Sequence, residues 1–380
     1  MNALAEHHPA WPLARTQSQW HLIRRRFARH RVAVIALYLL VLLYLLAIFA
    51  EFVAPYPADA RDLDHPYCPP QLPRLSLDHG LHVRRLVCQV DPITFRKSYR
   101  QDANDAIPLG LFVRGEPYKL WGLIPMERRL LGVDHEAYRR THPGAATRGT
   151  FYALGADKYG HDILSRILYG SRISLSVGLI GIAFTFVLGM TIGGVSGYVG
   201  GGLDTFIQRA IEIVNSFPRL PLWIALAAVM PGDWSALRIY FAITIVLSLL
   251  GWTRLARVVR GKILSLREED YAIAARLIGA GHGRILFRHL LPGFASHIIV
   301  SLTLSIPGMI LGETSLSFLG LGLRPPVVSW GVMLQDCMDV KAVTIYPWLL
   351  LPVVFIVLTV LCFNFVGDGL RDAADPYAAK

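Results

Sequence analysis

The sequence predicts an all-α polytopic membrane protein with six transmembrane helices and a long extramembrane insertion between the first two. Three observations carry that reading. The chain is 53% hydrophobic and only 17% charged, with a mean hydropathy of +0.43, where a soluble domain carries about 25% charged residues. Apolar blocks close to the ~20 residues that cross a bilayer recur along it. Basic residues crowd beside those blocks, so the net charge of +11 speaks for membrane orientation and against a nucleic-acid partner.

The six blocks are Val32–Ala50, Ile173–Val195, Ile211–Met230, Ile239–Leu255, Phe294–Leu311 and Pro347–Val366. The first holds no charge, and it is too long, without a small-residue cleavage site after it, to be a leader peptide. The third is interrupted by Pro218, Arg219 and Pro221. Proline removes a backbone hydrogen bond and bends a helix, so a kink or break is expected there. The chain then divides into a basic N-terminal segment 1–31, a first span 32–50, an insertion 51–171, a five-helix core 172–366 containing a loop 256–292, and a tail 367–380.

Orientation follows from the bases near span ends. Arg24, Arg25, Arg26, Arg29 and Arg31 precede the first span, and Arg254, Arg257, Arg260, Lys262, Arg267, Arg276, Arg284 and Arg288 lie around the loop after the fourth. The "PGDWSA" loop after the third has an acid and no base. Both termini and the stretch Tyr271–Gly293 are therefore expected in the cytoplasm, and 51–171 outside. In an oxidising outer compartment Cys68 and Cys88 would close a loop of about 20 residues, contributing roughly 3 kcal/mol. The alternatives are two unpaired thiols, or a bridge to Cys337; Cys362, inside a span, is expected to pack.

Gly189, Gly193, Gly197 and Gly201 recur every four residues, a smooth stripe on which another helix can close, and Gly308 and Gly312 repeat the pattern. Arg209, Glu212 and Glu313 are expected at membrane interfaces, which leaves the span interiors nearly free of the ionisable groups that ion-coupled carriers keep. Ser174, Ser176 and Thr185 are expected to be packing hydroxyls. "RGKI" at Arg260–Ile263 lacks the first glycine and the hydroxyl of a phosphate loop, H-E-x-x-H and G-x-S-x-G are absent, and the 13 histidines show no ligand-like grouping. The sequence thus offers no metal site, no cofactor site and no engine of its own.

What it does offer is "YAIAARLIGAGHGRILFRHLLPG", Tyr271–Gly293. Its first part is Ala-rich, favouring helix, with Ala274, Leu277 and Ile278 on one narrow face. Glu268, Glu269 and Asp270 stand at the positive end of that helix. Gly279 and Gly281 stop it, and a second short helix, Arg284–Leu291, is expected before Pro292. Read without further context, this is an amphipathic element at a membrane surface.

Here the chain resembles the inner-membrane permeases of bacterial ABC importers, which carry a cytoplasmic E-A-A-x3-G-x9-I-x-L-P signature. Ala274, Ala275, Gly279, Leu291 and Pro292 match it; Ile273 stands at the Glu position and His289 at the Ile position. "LGADKYGHDILSRILYGSRISLSVGL" from Leu154, "GYVGGGLD" from Gly197, "SFLGLGLRPPVVSWGVML" from Ser317 and "FNFVGDGLRDAADP" from Phe363 resemble the dipeptide/oligopeptide branch, as do the basic lead and "APYP" at Ala54–Pro57. Ala156 and His161 depart from the branch pattern.

The resemblance implies a type I ABC importer permease fold and the second (C-type) permease of a dipeptide/oligopeptide-type system in the bacterial inner membrane. The implied partners are a homologous permease, two ABC ATPase subunits that hold the ATP and magnesium, and a periplasmic solute-binding protein. The implied ATPase-coupling residues are Tyr271, Ala274, Ala275, Arg276, Leu277, Gly279, Gly281, Arg288 and Pro292. The chain is then a transport subunit rather than an enzyme, and its insertion, now periplasmic, is a candidate contact for the binding protein. Similar permeases serve opines, oligosaccharides or nickel. An ion-coupled carrier and a membrane enzyme built on the insertion are the other classes; a mid-span carboxylate would mark the first.

Overall fold

A computed structural model describes residues 19–77, 80–93, 97–141 and 149–374. The first 18 residues and the last six, parts of the expected N-terminal segment and C-terminal tail, lie outside the described residues.

Among the described residues five helical stretches are long and apolar enough to cross a membrane: Arg31–Ile48, Ile163–Val199, Ala236–Leu266, Ala295–Phe318 and Pro347–Ala374. α1 (Gln19–Arg29) leads into α2 (Arg31–Ile48), and α3 (Ala50–Val53) adds one turn at its far end. α5 (Ile163–Val199), after the insertion, begins ten residues before the apolar block that predicted it. Its start is set by Asp162, whose Oδ2 accepts from Ser165 N at 2.7 Å and Ser165 Oγ at 2.6 Å. An aspartate there satisfies amides that the first helical turn leaves free. Burial pushes the Asp162 carboxyl up to about 6.

The third expected span is broken where its prolines predicted a kink or break. Ile211–Met230 is not one helix: α6 (Gly201–Ser216) ends, and α7 (Arg219–Ala228) begins two residues past Phe217. Pro218 forces Phe217 into extended backbone, at φ −85° and ψ 136°, because its ring excludes the helical conformation of the residue before it. Neither piece has the length of a span.

α8 (Ala236–Leu266) runs parallel to α5. Added Cβ atoms on Gly189, Gly193 and Gly197 would meet Leu255, the Ala256 backbone and the Arg260 backbone in turn. Parallel neighbours need a connection that returns along the bundle, and α6 with α7 is that connection. Gly201 and Gly308 do not extend the stripe: both face open space, and Gly201, at φ +60°, starts α6. Gly312 lies against Leu247 and Trp223.

After α8 the chain forms α9 (Asp270–Leu277), α10 (His282–Arg284), a π-helical turn (Ile285–Leu290) and α11 (Leu291–Gly293). α12 (Ala295–Thr303) and α13 (Ile306–Phe318) return through the bundle. α14 (Trp330–Met333) and α15 (Val340–Ile345) form a cap, and α16 (Leu351–Ala374) crosses last. A core of Leu40, Leu43, Leu175, Ile310, Trp330 and Phe363 joins α2, α5, α13, α14 and α16.

Glu313 on α13 is fully buried, not interfacial as expected from its place near the end of a block. Its oxygens accept from Ser174 Oγ at 3.2 Å, Ser317 Oγ at 2.9 Å and Ser329 Oγ at 2.8 Å. Each serine also accepts one backbone N–H, from Trp330, Leu323 and Val332 respectively. One buried carboxyl group thus fixes α5, α13 and the start of α14 through three hydroxyls, the hydrogen bonding that a buried polar group requires. Arg209 and Glu212 pair with each other on an exposed face.

The insertion corrects the all-α expectation. It holds a four-stranded antiparallel meander, β1 (Arg74–Ser76), β2 (Gly80–Val90), β3 (Lys97–Leu120) and β4 (Ile124–Val133), followed by α4 (His135–Thr141). The register sets Val83 opposite Ile107 and Leu109 opposite Val133. With Tyr138 and Phe151 these form a second, small core. Register shifts between Arg84 and Leu86 and between Arg114 and Tyr118, with His82 and Arg129 buried among the apolar residues, break the two-residue alternation in the sequence.

All four cysteines are free, so the bridge expected between Cys68 and Cys88 is not formed. Cys68 is instead buried with Leu86, Tyr152 and Ala156, and that burial raises its thiol. Cys362 packs in the membrane core, as expected.

Charged side chains tie the end of α2 to α5, and the sheet to the end of α3. Arg172 on α5 grips both Glu51 oxygens, at 2.7 and 2.6 Å, and donates to the carbonyls of Ala47 and Ile48. Burial opposes ionisation of Glu51, but these bonds hold its carboxyl below the ordinary value. Buried Arg129 of β4 donates to Ala54 O at 2.8 Å. Asp62 accepts from Tyr152 Oη and His65 Nδ1, each at 2.8 Å, while His65 Nε2 faces Leu86 O at 3.3 Å.

Two outcomes follow. Gly193→Leu forces a side chain into the α8 backbone, which cannot move aside, and costs at least the ~1–3 kcal/mol of ordinary overpacking; Gly308→Leu does not. Thermal unfolding in detergent checks the pair. The Asp62 hydrogen bond raises the His65 value, against burial. Its stabilisation is therefore complete below the ordinary histidine range and lost as pH rises through the raised value. The stability advantage of wild type over His65→Gln, measured by melting, is larger at about pH 6 than at about pH 9.

Candidate functional site

The residues singled out in the sequence fall on one surface, at the end of the bundle away from the sheet. α9 forms there because its run is Ala-rich and Asp270 sits in its first turn. It is seated by Ala272 and Ala275, buried on a core that includes Leu255, Val259, Ile263, Ile285, Leu290 and Phe294. The Ala274, Leu277 and Ile278 face read from the spacing points away from that core. Leu277 is 83% and Ile278 86% exposed. Arg276, Arg284 and Arg288, on α9 and the segment after it, are exposed too, as is Tyr271, whose hydroxyl lies beside Gly293.

Gly279 ends α9 at φ +82°, a conformation that residues with a Cβ rarely adopt. Its N–H bonds to Arg276 O at 3.0 Å and that of Ala280 to Ala275 O at 3.1 Å, the paired bonds of a Schellman stop. Gly281, in extended backbone, and Gly283 face open space and meet no such demand.

The second helix is longer than the expected Arg284–Leu291: helical backbone runs from His282 to Gly293, its middle a π turn. That turn buries Ile285, Leu286 and Leu290 and leaves Arg288 and His289 exposed, as is Pro292 in α11. His289 therefore occupies a solvent position where a polar side chain costs nothing, and Ile273 is 40% exposed on α9.

Tyr198, at the end of α5, was not found by sequence reasoning. The Arg276 guanidinium lies 6.0 Å above its ring, and His282 Nδ1 is 3.1 Å from its hydroxyl. It thus holds both arms of the loop. Arg267 donates to Gly197 O at 3.2 Å. Arg260 grips Asp204 with two bonds of 2.6 Å, and Ser196 adds a third. The Arg260 bonds, over a smaller opposing effect of burial, bring the Asp204 carboxyl down to about 2. Tyr198 and Asp204 both lie in the quoted "GYVGGGLD"; their partners come from α8, α9 and α10, which no spacing along the chain reveals.

Among the described residues no group of three or more His, Cys, Asp or Glu is placed to hold a metal ion. Chemically the surface is an exposed apolar ridge with a basic rim on a rigid seat, suited to docking.

Tyr198→Ala removes a cation–π contact and a hydrogen bond, together about 1.5–2 kcal/mol. Tryptic nicking at Arg284 of the detergent-solubilised protein then rises roughly tenfold, and Tyr198→Phe, which keeps the ring, falls between.

Residues 189–380 match the family described as "Binding-protein-dependent transport system inner membrane component", and residues 18–70 match "N-terminal TM domain of oligopeptide transport permease C". The chain is 40% identical over 233 residues to the oligopeptide transport system permease protein OppC of Haemophilus influenzae, covering 61% of this chain and 72% of that one. It is 40% identical over 224 residues to the dipeptide transport system permease protein DppC of Bacillus subtilis, covering 59% and 68%. Among solved structures it has a looser likeness to a chain of the inward-facing MetNI methionine ABC transporter, with TM-score 0.44 and 19% identity over 56% of this chain and 97% of that one. The chain belongs to the family of binding-protein-dependent transport system inner membrane components.

Proposed function

We propose that this chain is the permease subunit of an ATP-driven importer of peptides, forming part of the translocation path and taking its energy from separate ATPase subunits. The observation that carries the coupling role is the α9 ridge. Leu277 and Ile278 stand out from a helix whose other face, Ala272 and Ala275, is bedded on the bundle. An apolar ridge held this firmly transmits a push only if something grips it, and the basic rim of Arg276, Arg284 and Arg288 suits an acidic groove.

In this reading α9 is the coupling helix, with Tyr271, Ala274, Ala275, Arg276, Leu277, Gly279, Gly281, Arg288 and Pro292 at or beside the contact. ATP and magnesium sit on two ABC ATPase partners. A homologous second permease completes the path. The broken α6–α7 segment counts as the sixth crossing, because parallel α5 and α8 need a return between them. Both termini and the α9 loop then lie in the cytoplasm, and the β-sheet in the periplasm, within reach of a solute-binding protein. Peptides are the substrate class favoured by the relatives' names. Buried Glu313 does not favour an ion-coupled carrier: its oxygens are occupied by three serines.

The test is Leu277→Asp in the complete transporter reconstituted in vesicles. The position is exposed, so the chain folds normally; ATPase association is lost and peptide uptake falls to background. Uptake at the wild-type rate would remove α9 from the coupling role.

A further inference from the structure

The turn that joins β3 to β4 has an unusual composition. Leu120-Trp121-Gly122-Leu123-Ile124-Pro125-Met126 carries no charge, and the Trp121 indole is its only polar side-chain group. Hairpin tips in water use Gly, Asn, Asp, Pro and Ser. Here Leu123 is 79%, Ile124 48% and Trp121 47% exposed.

The tip's position explains its chemistry. The Trp121 indole donates to Ile48 O, the last residue of α2, at 2.8 Å, and its ring lies 5.6 Å from that of Phe49. Phe112, farther back on β3, meets Phe52 at 6.0 Å. Both Phe112 and Trp121 have positive φ, 55° and 53°, a costly backbone for bulky residues. The tip is therefore held back against α2 rather than projecting freely. An apolar crevice of about 440 Å³ separates them, lined by Leu45, Leu46, Phe49, Phe52, Val53, Leu120 and Met126.

The polar layer of Glu51 and Arg172 marks where the hydrocarbon next to α2 ends. The tip meets the last turn of the span at that layer, where the Trp121 indole and Arg172 share the Ile48 carbonyl. Its exposed residues continue the outward apolar face of α2, on which Ile35, Tyr38, Val41, Leu42 and Leu45 are exposed. Lys119 and Arg128 flank it on the two strands and are exposed.

We propose that the β3–β4 tip is a membrane-interface anchor: Trp121, Leu123 and Ile124 enter the acyl chains beside α2, a lipid chain occupies the crevice, and Lys119 and Arg128 meet phospholipid headgroups. Tryptophan with flanking bases is the composition of the interfacial belt, and the bases favour anionic lipid. The anchor pins one edge of the sheet to the bilayer and fixes the height at which the sheet stands.

The experiment is photolabelling of the full chain in vesicles of phosphatidylethanolamine and phosphatidylglycerol, doped with a phosphatidylcholine bearing a diazirine in its upper acyl chain. Peptides are mapped by mass spectrometry. The tryptic peptide Leu120–Arg128 is labelled together with α2, and Leu123→Asp, at an exposed position, lowers its labelling several-fold without altering that of α2. A labelled α2 beside an unlabelled Leu120–Arg128, as when a protein partner covers the tip, overturns the proposal; so does labelling that Leu123→Asp leaves unchanged. Neither result bears on the coupling role of α9, which is read by uptake alone.

Discussion

The structure rests on the parallel contact of α5 with α8, where three glycines one turn apart let one backbone lie on another. At Gly193 the neighbour is the Ala256 main chain, so no rotamer change can make room for a side chain. Packing this close is the main source of helix association in lipid, where burying apolar surface against apolar surface gains little. Two consequences are topological. The chain must return between the two helices, and it does so through the α6–α7 segment, broken at Pro218. The same contact brings the ends of α5 and α8 together, and on those ends the α9 loop is built.

The loop is firm rather than mobile in its construction. A Schellman stop at Gly279, a π turn that buries Ile285, Leu286 and Leu290, and Tyr198 holding both arms leave α9 little freedom to move apart from its base. In the proposed coupling role, a displacement of α9 is thereby carried into α5 and α8. A flexible pivot would absorb the same push. The glycines of the stretch divide accordingly: Gly279 answers a backbone demand, whereas Gly281 and Gly283 sit in open space.

Charge in the membrane part is used to tie elements together. Glu313 gathers three segments through three serines, and Glu51 with Arg172 locks the end of α2 to α5. Buried charges contribute little net stability but are costly to strand, so each pair or cluster favours one arrangement of the helices over nearby alternatives. The insertion is held to the bundle in the same way, through Arg129, and at its tip by apolar contact.

Hydropathy alone located the apolar blocks, and charge bias proposed their orientation, because both are properties of composition along the chain. The α9 surface was legible too: Ala274, Leu277 and Ile278 fall on one face by helical spacing, and Gly279 ends the helix because a residue without Cβ is needed there. The direction of that face was not legible, since the core beneath Ala272 and Ala275 is assembled from α8, the π turn and Phe294. Only the tertiary structure showed that Gly201 and Gly308 lie off the packing stripe, that Glu313 is buried, that Cys68 packs unbridged, and that Tyr198 clasps the loop. The β-sheet stayed hidden because bulges near Arg84 and Arg114 and the buried polar His82 and Arg129 break the alternation that marks a strand. Local pattern determines what each segment can become; which face is covered, and by what, is decided by contacts between residues far apart in the chain.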